Sequence, residues 1–397
     1  NGCYNVNGGV HVPCTVSTCN GIRVVGEGRD STVFQSSCTN GYIWWFDNTT
    51  FSGGNWTGPQ LSDFTVRDTS GVGKCRDKIR LTQMAESVIE RVKSWGSGKG
   101  NTYSTGRVTV SGNTVTGAGT SFSSSMVPGI LQILGTNAEV CKYNSSTSLT
   151  LCDDTWPVGL QPVGVNYALT FGNAGLWFDP GTSYTQYISV RDFFSYGDTF
   201  CVYSQGVTKG GNSRISFSGK AGWCDPLRIE NSVGFWLGKH SDTFDIHTPI
   251  NNASRCWVLD SAHSNVIDGA ECENNNVWTM VTTCGNTQNC VLGAEIHADR
   301  GSSGYGNVFT NLSIYLTGIA FRVDNSYGAT SLYISGLRTA SFSNLQSYSF
   351  NGVAGCPVSS AATILDWDCV HFAVQPKTKK EQKHEVTKGN LSYSIAE

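Results

Sequence analysis

Three stretches of this 397-residue chain can be laid over one another. Asn265–Glu273 reads NVIDGAECE, Asn289–His297 reads NCVLGAEIH and Asn307–Tyr315 reads NVFTNLSIY. Each opens on Asn, carries apolar residues at the same offsets and closes in a short alternating strand. The steps between them are 24 residues (265 to 289) and 18 residues (289 to 307). A repeat of this length, with strands as its unit, is the mark of a β-solenoid, whose coils bury their apolar faces only against their neighbours. Such a chain outgrows the size of one compact core because its interior lengthens along one axis.

The composition agrees. Charged residues make up only 14% of the chain and Gly numbers 46, which suits short strands joined by tight turns. A net charge of −3 leaves no electrostatic footprint for nucleic acid. No apolar run reaches the ~18–20 residues of a membrane-spanning helix. The chain starts at Asn1 without a charged-then-apolar leader, so a mature or trimmed product is expected. The 15 cysteines include close pairs, Cys14 with Cys19, Cys141 with Cys152, Cys284 with Cys290 and Cys356 with Cys369. None has the spacing of a zinc finger or a redox pair. Loop-clipping disulfides are therefore expected, and with them an oxidising setting, extracellular or on a virion surface. Buried free thiols are the plainer alternative, and the odd count leaves at least one Cys unpaired or bonded to another chain.

Four segments follow from the pattern. Residues 1–106 read as an N-terminal cap and first coils, 170–350 as the main coil, and 351–397 as a cap with a polar tail. Between them, 107–169 breaks the rhythm with hairpin-like strands (RVTVSGNTVTGAGTSF, VPGILQILG, AEVCKYNSSTSLTLCDD) and reads as a small inserted β module. The stretch Gln83–Trp95 also has Met84, Val88, Ile89 and Val92 near helical spacing, so a short helix competes with strands there. In the tail, LSYSIA (Leu391–Ala396) is strand-like and could pair with an exposed edge of this chain or of a neighbour.

Gly21–Ser36 (GIRVVGEGRDSTVFQS) places strand residues where a dinucleotide-binding loop would need a helix. It resembles instead the opening coils of the pectate-lyase-like superfamily of right-handed parallel β-helices, which includes polysaccharide lyases, polygalacturonase-like hydrolases and phage tailspikes. Asp77–Gly96 and Ala174–Gly197, with its ISVRDF strand, resemble further coils. The resemblance covers most of 10–350 and implies an all-β, right-handed parallel β-helix. No catalytic signature of any one branch is legible, and GKHSD at Gly238–Asp242 is a poor substitute for one.

Alternation along a strand sends neighbouring side chains to opposite faces. With Ala270, Cys272, Ala294 and Ile296 inward, Glu271, Glu273, Glu295, His297 and Asp299 face out, as do Arg322 and Asp324 around Val323, and Asp245 and His247 around Ile246. At a coil spacing of about 4.8 Å, Glu271 is expected directly under Glu295, and Glu273 under His297. Stacked carboxylates can share a proton, hold Ca²⁺, or act on a glycosidic bond. The expected roles are an acid/base pair of Glu271 and Glu295 with His297 as partner. Glu273, Asp299, Arg322, Asp324, Asp245 and His247 would contact substrate. No cofactor is required; calcium is an option, and Glu273 and Asp299 could hold it instead of orienting substrate. Asp366, Asp368 and His371 around Trp367 form a second, weaker candidate. Outward-facing tryptophans would offer flat platforms to sugar rings.

The expected function is binding, and cleavage by hydrolysis or β-elimination, of polysaccharide along an outer groove. The rival is a non-catalytic structural or adhesive subunit, a homo-oligomer assembled through its coil ends or C-terminal tail; a third reading is a carbohydrate-binding module.

Overall fold

The computed structural model describes residues 2–14, 21–49, 58–70, 75–97, 101–127, 129–133, 136–151, 162–205, 211–219, 223–225, 232–251, 253, 255–273, 292–297, 304–315, 319–324, 330–335, 338–340, 348–350, 386–388 and 391–393. They are all-β. Among them there is no α-helix, only one 3-10 turn at Ser124–Met126, and no helix is long and apolar enough to cross a membrane.

Most strands belong to three parallel sheets that the chain visits in rotation, of ten, ten and nine strands. The first circuit is Gly2–Asn5, Val10–Pro13 and Arg23–Val25. These pair in parallel with Thr32–Ser36, Tyr42–Asp47 and Gln60–Ser62 of the next circuit. The order is in keeping with a β-helix or solenoid.

Alternation builds the interior. On the second sheet Ile79 aligns with Leu176, and Leu81 with Phe178; further on, Phe235 aligns with Trp257 and Ala294, and Leu237 with Leu259 and Ile296. All are buried, and each large apolar side chain so buried contributes roughly 1.5–3 kcal/mol. The corner between the third and first sheets has its own recurring form. Asp63, Arg91, Asp192, Gly269 and Asn311 occupy it with φ between 50° and 62°. Each is followed by a buried apolar residue, respectively Phe64, Val92, Phe193, Ala270 and Leu312. The left-handed backbone re-aims the chain, and Asp, Asn and Gly tolerate it best.

Two buried polar sites inside are paired, as desolvation demands. Asn265 and Asn307 form a ladder. Asn265 Nδ2 donates to Asn307 Oδ1 at 3.0 Å and to the Ser241 carbonyl at 3.0 Å; Asn307 Nδ2 donates to the Ala262 carbonyl at 2.9 Å. The opening asparagines of the first and third sequence stretches therefore do stack, with Val266 opposite Val308 and Cys272 opposite Ile314. A second polar site joins Lys78 to Asp198 at 2.5 Å, both fully buried. Lys78 also donates to Asn173 Oδ1, and the Ser94 and Ser195 hydroxyls each donate to Asp198 Oδ2 at 2.7 Å.

Between Lys93–Trp95 and Ala174–Asp179 the chain leaves the parallel sheets. Seven strands from Asn101–Tyr103 to Ala168–Phe171 form a separate antiparallel sheet. Val108, Val110, Val115, Leu131, Leu149 and Leu169 fill one core of it. Ile130 points the other way and packs with Tyr203, Trp236 and Val258 on the outer side of the second sheet. The segment with competing helical spacing is instead two strands, Val88–Glu90 and Lys93–Trp95, hinged at Arg91. Leu391–Tyr393 pairs with Val386–Lys388 in a local antiparallel hairpin rather than with the edge of a large sheet.

Three disulfides are described, Cys38–Cys75, Cys201–Cys224 and Cys256–Cys272. All six cysteines are buried. The last two pairs join the second sheet to the first across the core, because side chains on adjacent walls meet there although 23 and 16 residues separate them. Cys14 is disulfide-bonded and Cys3 is free and exposed. Of the other pairs expected from proximity in sequence, Cys141 is described only as strand backbone. Cys19, Cys152, Cys284, Cys290, Cys356 and Cys369 lie outside the described residues.

Candidate functional site

The strand register divides the expected stripe among three sheets. Glu271 and Glu273 lie on the first sheet in Glu271–Glu273, where Glu271 aligns with Ser313, and Glu273 with Asn251 and Tyr315. Glu295 and His297 lie on the second sheet in Leu292–His297. There Glu295 aligns with Val258 and Arg322, and His297 with Asp260 and Asp324. Glu271 is thus not under Glu295, nor Glu273 under His297. The cause is that one alternating code serves all three sheets. The GAE of DGAECE contains the corner Gly269, whereas the GAE of LGAEIH lies within a strand. The inward assignments survive: Ala270, Cys272, Ala294 and Ile296 are all buried. Asp299 and the group Asp366, Trp367, Asp368 and His371 lie outside the described residues.

On the third sheet the structure does bring groups together. His247 Nε2 is 3.0 Å from Asp245 Oδ1, and its Nδ1 is 3.7 Å from Asp268 Oδ2. Asp268 accepts hydrogen bonds from Thr310 Oγ1 at 2.7 Å and Asn311 Nδ2 at 2.9 Å. These two donors, helped by His247, hold its carboxyl below the usual carboxylate range. The two carboxylates approach opposite ring nitrogens, so they orient the imidazole rather than converge on a point. Among the described residues no three His, Cys, Asp or Glu side chains are grouped to hold a metal ion.

The outward tryptophans of the second sheet are not open platforms. Trp44 packs inward with Phe46, while Trp45 turns outward. His11 stacks on Trp45 at 4.2 Å. The Arg80 guanidinium lies 4.7 Å from Trp45 and 4.3 Å from Trp177, and it is fixed on Asp179 by bonds of 3.0 and 2.5 Å. Tyr203 and Trp236 are covered where Ile130 packs.

The first sheet has the open face. Along it, Arg67, Trp95 and Tyr196 align in one column, followed on the next strand by Asp225, and Thr65, Lys93 and Phe194 align beside it. Ser94 and Ser195, between the columns, are buried, so both columns point outward. Trp95 is 38% exposed and Tyr196 45%. Their rings meet edge to face at 6.1 Å, and Phe194 lies parallel to Tyr196 at 6.4 Å. Glu271, exposed, and Glu273, half-buried, flank buried Cys272 on a later strand of the same sheet and the same face. From Lys93–Trp95 to Glu271–Glu273 there are four strand steps, about 19 Å at sheet spacing. Sequence reasoning missed Trp95 and Tyr196, but a signal existed: KSWG (93–96) and FSYG (194–197) are one repeat, in which both serines bind Asp198.

No protein-family model and no curated protein matches the sequence. Solved structures that match include an open-reading-frame product of Geobacillus virus E2, 12% identical over 88% of this chain and 52% of that one, with a TM-score of 0.30. Another is the A-module of a mannuronan C-5 epimerase from Azotobacter vinelandii, 10% identical over 90% of each chain, with a TM-score of 0.31. The chain spans about half the length of the viral chain. Likeness at this level assigns neither activity nor ligand.

Proposed function

We propose that this chain is a right-handed parallel β-helix, extracellular or borne on a virion, that binds polysaccharide along the outer face of its first sheet and cleaves it at Glu271 and Glu273. The observation that carries the reading is the row of outward groups on one face: exposed Trp95 and Tyr196, then Asp225 and Asn251, then the two carboxylates. Exposed rings supply flat apolar surface with a polar rim, the combination that packs on a sugar. Glu271 and Glu273 stand two residues apart on one strand, about 6.6 Å between their Cα atoms. Side chains two residues apart on a strand point to the same face, so one carboxyl could protonate a glycosidic oxygen while the other activates a water. The buried disulfides fit a protein that folds in an oxidising setting.

The test is a panel of polysaccharides scored for binding and for new reducing ends. Glu271→Gln and Glu273→Gln should each lower turnover by about a hundredfold or more while binding persists. Undiminished turnover in both variants removes the catalytic pair. Binding without any product from the unaltered chain moves the reading to an adhesive subunit.

A further inference from the structure

The open face of the first sheet changes sign along its length. Arg67 and Lys93 stand on its third and fourth strands and Glu271 and Glu273 on its eighth, with the aromatic rings beside the cations. Arg67 is exposed, its guanidinium lies 5.0 Å from the Trp95 ring, and among the described residues it has no ion pair. Lys93 Nζ lies 4.4 Å from the Trp95 ring and 5.4 Å from Phe194. Its one described carboxylate is Asp30 at 3.5 Å, whose side chain is 80% exposed. Arg29 adds a third cation, 5.8 Å from the Phe194 ring.

Arg80 on the second sheet is the internal control. It is also stacked on indole, yet its charge is met by Asp179. Arg91, at the corner between the third and first sheets, is likewise satisfied, since it holds Asp63 through two bonds of 2.6 and 2.8 Å. Arg67 has the stacking without the carboxylate. A guanidinium so held keeps its planar fork of donors free for an anion, and the neighbouring ring fixes its orientation. A neutral sugar would use the rings and leave this fork to water.

We propose that Arg67 and Lys93, with Trp95 and Tyr196, anchor a sugar residue bearing a carboxylate or sulfate, so that the chain's ligand is an anionic polysaccharide. The anion sits at the Arg67 end and the chain runs along the sheet toward Glu271 and Glu273. This rests on the first-sheet face being the glycan-binding face.

The full chain is titrated calorimetrically with three oligosaccharides of equal length, one carboxylated, one sulfated and one neutral. At least one anionic ligand should bind about tenfold or more tightly than the neutral one, the worth of one charge-assisted hydrogen bond. Raising the salt should narrow the gap. Arg67→Gln should abolish the preference without moving the unfolding midpoint, since Arg67 is exposed. The two anionic arms tell carboxylate from sulfate recognition. Equal binding of neutral and anionic ligands, lost in Trp95→Ala, overturns the anionic assignment and leaves the glycan-binding face standing. Absence of binding by all three overturns both. A preference that persists in Arg67→Gln also overturns the assignment.

Discussion

Replacing Lys78 by Met removes the cation from a site that water does not reach. Asp198 would then keep two hydroxyl donors, Ser94 and Ser195 at 2.7 Å each, but lose the ammonium at 2.5 Å. Stranding one member of a buried ion pair costs about 3–5 kcal/mol, and the two retained donors place the expected loss near the lower end, about 3 kcal/mol. Burial, opposed by Lys78, already raises the Asp198 carboxyl above its ordinary value. A group whose folded pKa is raised stabilises below its unfolded pKa and loses that contribution as pH climbs through the folded one. Without Lys78 that loss deepens, so the deficit of Lys78→Met should be largest at neutral pH and shrink as the solution is made acidic. In the double variant Lys78→Met, Asp198→Asn, the oxygen of the new amide can accept from both serines. It should recover to within about 1–2 kcal/mol of the parent, because a buried pair replaced by neutral groups is often near neutral in cost. Guanidinium unfolding, followed at neutral and at mildly acidic pH, reads these differences. A single variant within about 1 kcal/mol of the parent at neutral pH, or a double variant no better than the single one, refutes the reasoning.

Three further outcomes follow from the same geometry. Asn307→Ala strips the ladder from Asn265 and should cost about 1–3 kcal/mol, read as a lowered denaturation midpoint. Replacing Cys256 and Cys272 together by Ala opens a 16-residue link and should cost about 3 kcal/mol, whereas reducing agent should leave that variant's midpoint less affected than the parent's. Asp268→Asn should remove stability at neutral pH but make little difference in acid. The Asp268 pKa is lowered by Thr310 and Asn311, so its contribution is present above the unfolded value and is lost as pH falls through the folded one. Melting temperature against pH for parent and variant shows whether the curves converge in acid.

What the sequence makes legible is local. Parity along a strand is decided by adjacent residues, and so Ala270, Cys272, Ala294 and Ile296 read inward, as the structure has them. Which sheet a strand joins depends on the length of the connections, and these vary: aligned positions on the third sheet are 21 residues apart at Asp245 and Val266, but 42 apart at Val266 and Val308. An overlay by residue pattern alone therefore matches Leu292–His297 to the wrong sheet. The corner, a left-handed residue followed by a buried apolar one, keeps a better register (Asp63-Phe64, Asp192-Phe193, Asn311-Leu312), and two of the three overlaid stretches contain it. Each described disulfide joins cysteines that follow one another in the sequence, and what the sequence does not show is that Cys201 and Cys256 reach across the interior to another wall. The covering of Trp236 is unreadable because an inserted sheet, not its own strand, buries it.

A glycan held on the outer face of the first sheet is the premise beneath both the catalytic and the anionic proposals. Its sharpest test compares the parent with the double variant Trp95→Ala, Tyr196→Ala for retention on immobilised polysaccharides, with circular dichroism confirming that both are folded. Retention of the parent and loss of the variant is the result expected. Equal retention of both would place the ligand elsewhere on the molecule and remove that premise.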